Sequence, residues 1–137
     1  MTLHNRSQHY AREALAKIDA IKGNAKLRDE YKSRADSFPV MVMQAGLAQG
    51  LGFLFAKSGN KTDNGYGRYL QDLAAVLKAG GASTANSGEA LQRHAISAEL
   101  ADYRLLTRET LAAAGWLKRF AQAYIKKDDK AGKERQS

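Results

Sequence analysis

The sequence has no cysteine among its 137 residues. Disulfides, thiolate metal sites and cysteine nucleophiles are therefore excluded, and a reducing, cytoplasmic setting is expected. Histidine is scarce, with three residues. His4 and His9 are five positions apart, which puts them on different sides of a helix. His94 stands alone, and no carboxylate sits at a ligand spacing beside any of them, so neither a metal nor another cofactor is expected. Acid is also short: 14 Asp and Glu stand against 22 Lys and Arg, a net charge of +8. Such an excess favours anionic partners without naming one. The adjacent acids Asp29-Glu30 and Asp128-Asp129 fall in polar stretches, where nothing would shift them toward acid–base work, and they read as solubilising charges. No glycine pattern cradles phosphate, and no serine lies in a nucleophile elbow. The chain is not expected to be an enzyme or to take a small-molecule substrate. Met1 to Arg12 is polar, with no apolar run behind a basic start, and does not read as a secretory signal.

Proline occurs once, at Pro39. Runs of β-branched residues and strict apolar–polar alternation are missing as well, which removes the marks of strands. Helix-favouring residues dominate. With 44% hydrophobic and 26% charged residues, the composition is that of a globular chain. The expected fold is all-α: one compact helical bundle of about five or six helices, occupying residues 1–127. Asp128 to Ser137 alternates charge and has no large apolar residue, so a disordered tail is expected there.

Apolar residues at Tyr10, Ala14, Leu15, Ile18 and Ile21 recur at helical spacing, predicting a helix from His4 to Lys22 that Gly23-Asn24 ends. A mostly polar surface helix is predicted over Lys26 to Ala35. Ser37-Phe38-Pro39 then reads as a helix start, with serine as cap and proline in the first turn. Val40 to Ala56 is apolar nearly all round, so this run predicts a central core helix. Three glycines and two glutamines argue against a membrane span, and no membrane partner is expected. A polar loop over Lys57 to Gly67 precedes a helix from Tyr66 to Lys78. Ala82 to Gly88 reads as a flexible loop, Glu89 to Ile96 as a short helix, and Ser97 to Lys127 as a long last helix.

That last helix has two faces. On a 100° wheel, Arg104, Arg108, Lys118, Arg119 and Lys126 fall within roughly 100°, with Gly115 and Gln122 among them. Leu105, Leu106, Ala113, Trp116, Leu117, Phe120 and Tyr124 take the broad opposite side. A solvated face usually mixes signs, whereas this stripe carries no acid. Five cations along about 30 Å of helix match a surface that follows a nucleic-acid backbone. Gly115 on the stripe would let a strand or partner come close. Glu109 is the misfit: it points to the apolar side and either reaches out to the edge or pairs with a cation from another helix or subunit.

Two segments carry a family resemblance: Phe38-Pro-Val-Met-Val-Met-Gln-Ala-Gly-Leu-Ala-Gln-Gly-Leu-Gly-Phe-Leu-Phe-Ala-Lys57 and Tyr103-Arg-Leu-Leu-Thr-Arg-Glu-Thr-Leu-Ala-Ala-Ala-Gly-Trp-Leu-Lys-Arg-Phe-Ala-Gln-Ala123. With Arg6-Ser-Gln-His-Tyr-Ala11, they resemble the small subunit of the type III-B CRISPR effector, the Cmr complex. One departure is Gln44-Ala45 before Gly46-Leu47, where the family usually has Asn. The resemblance implies a non-catalytic helical bundle whose copies stack along the crRNA–target duplex beside the backbone subunits. Its basic surface would hold target RNA while other subunits cut it. The implied partners are crRNA and target RNA, met through their backbones, and other subunits including copies of itself. Lys57, Arg108, Lys118 and Arg119 match basic positions of the family motifs, while Arg104 and Lys126 come from the wheel alone. A rival reading stays open, in which the basic face docks an acidic protein or neighbouring subunits without touching RNA.

Overall fold

A computed structural model describes residues 5–126. It contains six helices and, among the described residues, no strand. They are α1 (Arg6–Ile21), α2 (Arg28–Ala45), α3 (Leu47–Ser58), α4 (Gly65–Ala79), α5 (Gly88–Ser97) and α6 (Leu100–Tyr124). The tail expected to be disordered, 128–137, lies outside the described residues. No helix among those described is long and apolar enough to cross a membrane.

Helix α4 is the hub. It packs against each of the other five helices. Tyr69, Leu70, Leu73, Ala74, Val76 and Leu77 are all buried, so nearly its whole circumference faces protein. The central position predicted for Val40–Ala56 therefore belongs to α4. That apolar run is two pieces, the end of α2 and all of α3, and each buries only one stripe: Phe38 and Val42, then Leu47, Leu51 and Leu54. Its excess hydrophobicity is left at the surface, with Val40 and Met43 exposed.

The break expected at Ser37–Pro39 is absent, and α2 runs straight through Pro39. Ser37 does not cap; its Oγ donates to the carbonyl of Ser33 at 2.8 Å. An interior proline costs about 3 kcal/mol. Stopping the helix there would take Phe38 and Val42 off the core, and each is worth about 1.5–3 kcal/mol when buried. Packing outweighs the lost hydrogen bond. The turn comes instead at Gly46, with φ 93° and ψ 161°, a region open in practice to glycine alone. Its N–H closes α2 on Val42 at 2.8 Å, and its carbonyl opens α3 on Gly50 at 3.0 Å. No side chain within α3 caps its first turn. Tyr103 of α6 does so, its hydroxyl accepting from the Ala48 N–H at 3.0 Å.

Two carboxylates that sequence reading treated as solvent charges, or passed over, hold the hub. Glu30 accepts from the Gly65 N–H at 2.6 Å and so caps α4 from α2. Asp72, only 1% exposed, accepts from the Tyr31 hydroxyl at 2.8 Å and from Arg68 Nε at 3.2 Å. Burial pushes its carboxyl above the usual 3.8, against the pull of those two donors. The segment 82–88, expected to be flexible, is pinned: Ala85 is buried, and its N–H donates to Ser83 Oγ at 3.1 Å.

These contacts set two expectations. Gly46→Ala should lower stability by about 1–3 kcal/mol in urea unfolding, because the backbone there is strained for any side chain. Asp72 has a folded pKa above its unfolded one, so its stabilising contribution is complete below the unfolded value. That contribution is lost as pH rises through the folded value. Asp72→Asn, which cannot ionise, should therefore gain on the parent chain as pH rises from the ordinary carboxylate value through the raised folded one, read as the difference in urea midpoints.

Candidate nucleic-acid interface

The outer face of α6 is set by what its inner face buries. Leu106, Thr110, Ala113, Ala114, Leu117 and Ala121 are buried, and four of these six are small enough to let neighbours lie close. On one side α1 runs parallel to α6. Arg6 meets Glu109 at 3.2 Å at one end, and Lys22 lies over the Tyr124 ring at 5.6 Å at the other. On the other side α2 runs antiparallel, with Lys32 Nζ donating to the Ile125 carbonyl at 3.0 Å. That cation sits at the carbonyl end of α6, where the helix dipole favours positive charge.

What remains facing outward is the stripe. Arg104, Arg108 and Arg119 are exposed, while Lys118 is half-buried at its edge; Lys126, also exposed, lies past the end of the helix, which stops at Tyr124 and turns extended at Ile125, so the wheel that set it on this face does not hold there. None of the five joins an ion pair among the described residues. The pairs that do form there engage Arg6, Lys17, Lys22, Arg68 and Arg93, all on other helices. The acids within α6 are Asp102 and Glu109, on the side turned toward α1. The stripe is thus a row of uncompensated cations in solvent. Lys57 does not join it. It lies in the last turn of α3, 6.0 Å from the centre of the Phe53 ring. α3 touches α6 at its first turn, where Ala48 meets Tyr103, and Lys57 is about 14 Å further along.

Glu109 now has an account. Of the two readings, pairing with another helix holds: Arg6 of α1 binds it while also donating from Nε to the Gly80 carbonyl at 2.9 Å. Tyr10 packs beside this junction. Burial first, and the Glu109 charge second, push its hydroxyl up to about 12.

The aromatic residues of α6, read from sequence as core, lie at its margin. Trp116 and Phe120 stack with centroids 5.6 Å apart, Phe120 and Tyr124 follow at 6.3 Å, and Trp116 Nε1 donates to Ser7 Oγ at 3.3 Å. Trp116 still lines an open surface depression with Leu111, Ala112, Gly115 and Arg119. Sequence reasoning marked Gly115 but not this hollow, because a wheel places residues by angle and does not show which neighbours leave a gap. Among the described residues, no group of three or more His, Cys, Asp or Glu is placed to hold a metal ion.

The profile of the CRISPR-associated protein family Cas_Cmr5 matches residues 6–124. A curated relative from Thermus thermophilus, the CRISPR system Cmr subunit Cmr5, is 43% identical over 124 residues, covering 90% of this chain and 98% of its own. The crystal structure of a CRISPR-associated Cmr5 family protein from the same organism superposes with a TM-score of 0.76. It is 40% identical and covers 90% of this chain and 100% of that one.

Glu109→Gln should move the Tyr10 titration down from about 12 while leaving it above the ordinary 10.0, since burial is the larger cause. Tyrosinate absorbance against pH reads this directly, and an unchanged titration would contradict the placement of Glu109.

Proposed function

The chain belongs to the Cas_Cmr5 family of small subunits of the type III-B CRISPR effector, the Cmr complex, and from that premise we propose that it is a non-catalytic subunit that holds target RNA on the outer face of α6. The observation that carries this reading is the row of cations that joins no ion pair among the described residues. Arg104, Arg108, Lys118 and Arg119 line one helix face that bears no acid, Lys126 follows just past the helix end, and among the described residues the pairs that neutralise charge elsewhere do not reach them. A phosphate backbone meets such a face by displacing condensed counterions. Binding of this kind tolerates any sequence, so target choice rests on guide–target pairing and not on this subunit.

Lys57 stands apart from the row and, if it meets RNA, does so at a separate point of the path along the duplex. Contacts with other subunits, copies of this chain included, have their own candidate surface. Met43 and Leu100 are 76% and 64% exposed, and Val40, Ile96 and Leu105 are also open. Large apolar side chains left bare on several helices of a small subunit suit protein neighbours. This favours a division of labour, with apolar spots for protein and the α6 face for RNA, over the rival in which the basic face docks an acidic partner.

Single-stranded RNA titrated at several salt concentrations tests the reading. Contacts to about five phosphates give a slope of log K on log salt near −3.5. Arg108→Glu with Arg119→Glu should weaken binding about tenfold or more, flatten that slope by about 0.7 per lost contact, and leave the helical content unchanged. Equal affinity and an equal slope would remove those residues from the interface.

A further inference from the structure

Gly115 sits in the middle of the 25-residue helix α6 with a helical backbone. A helix-interior glycine destabilises by about 1 kcal/mol relative to alanine. Two other helical glycines have a reason inside the chain: a methyl at Gly50 would press on Phe38 and Val42, and one at Gly67, in the first turn of α4, would strike the Lys61 carbonyl, while at Gly52 it would meet only the end of the Gln92 side chain at 3.4 Å. At Gly115 a methyl would meet nothing within 4 Å, and no unusual φ requires glycine there. The chain's own packing gives no return for this local cost, which is the mark of a functional position.

The space left by the missing side chain is shaped. Gly115 and Ala112 floor an open depression of about 330 Å³, walled by Leu111 and Trp116 and rimmed by Arg119. The indole is fixed on two sides, by Phe120 stacked on it and by Ser7 accepting from its ring nitrogen. Cations stand on both sides along the helix, Arg108 two turns before Gly115 and Arg119 one turn after, and no acid of α6 lies on this face. Apolar walls, a preset aromatic ring and a purely cationic surround match one flat heterocycle on a polyanionic chain, which is how aromatic and arginine side chains hold unpaired bases irrespective of sequence. An acidic protein segment would satisfy the charge but has no need of a flat aromatic wall.

We propose that the hollow over Gly115 seats one unpaired nucleobase of the bound RNA against Trp116, with the flanking phosphates on Arg108 and Arg119. This rests on the strand-holding role assigned above to the α6 face. Trp116 is the sole tryptophan of the chain, so its fluorescence reports the seat directly. The full chain would be titrated at low salt with an oligouridine and with an oligomer of the same length whose sugars carry no bases. The oligouridine should quench Trp116; the baseless oligomer should bind through phosphates without quenching. Gly115→Leu fills the hollow from a half-buried helix position with open space for a Cβ and should raise the melting temperature. It should nonetheless weaken oligouridine binding about tenfold, toward the affinity of the baseless oligomer.

If Gly115→Leu binds oligouridine as tightly as the parent while Arg108→Glu with Arg119→Glu does not, the seat is overturned and the strand-holding face stands. Equal quenching by both oligomers also overturns the seat. Binding of neither oligomer overturns both. A Gly115→Leu chain that binds RNA normally but no longer enters the Cmr complex would assign the hollow to a protein neighbour and overturn the seat.

Discussion

A helix buried around most of its circumference needs neighbours in most directions, and α4, open along the side that carries Gln71 and Lys78, fixes the positions of the other five helices in this way. Its Tyr69, Leu73 and Leu77 fill the centre of the bundle. Tyr31 and Phe38 of α2 meet Tyr69 edge-on at 5.6 Å, an arrangement that aromatic quadrupoles favour. Among the described residues the one carboxyl group admitted to this centre, Asp72, is held by Tyr31 and Arg68. Unpaired, it would be among the most costly groups in the fold; doubly bonded, it fixes the rotation of α4 against α2. Glu30 fixes the height of the same pair by capping α4 at Gly65.

Once α4 and α2 are set, the face of α6 that looks outward is set too. α6 lies against α1, α2 and α4, and its small inner residues leave it one way to dock closely. Arg6 to Glu109 and Lys32 to Ile125 pin its two flanks. The row from Arg104 to Arg119 is therefore held in one helical frame as well as basic. A row held by packing holds a strand with less ordering cost than mobile cations would, because the side chains start from one helical frame. The same frame keeps the depression at Gly115 open, with Trp116 as its wall.

Much of this was legible in sequence, and the failures have physical causes. Helical spacing located α1, α4 and α6 within a residue or three, because each carries its large apolar residues at helical intervals. The α2–α3 corner was misplaced because proline and serine are strong local signals, whereas burying Phe38 and Val42 is a tertiary gain that no local rule contains. Gly46, the actual corner, looked like one of several small residues in an apolar run. Asp72 and Glu30 were missed for a related reason: both act across roughly forty and thirty-five positions, on Tyr31 and Gly65. The α6 face was readable from Arg104 to Arg119 because those residues share one helix, but the wheel ran past the helix end to Lys126, which follows the extended backbone at Ile125. Lys57 came through family likeness alone, and the fold sets it on another helix, in the last turn of α3.

The central claim is that RNA lies along the outer face of α6 in the assembled effector. Ultraviolet cross-linking of the complex bound to target RNA, with the linked peptides identified by mass spectrometry, tests it most directly. Links from this subunit should fall within 104–126 and be strongest around Trp116. Links confined to other helices, or protein-to-protein links covering 104–126 in the RNA-bound complex, would contradict it.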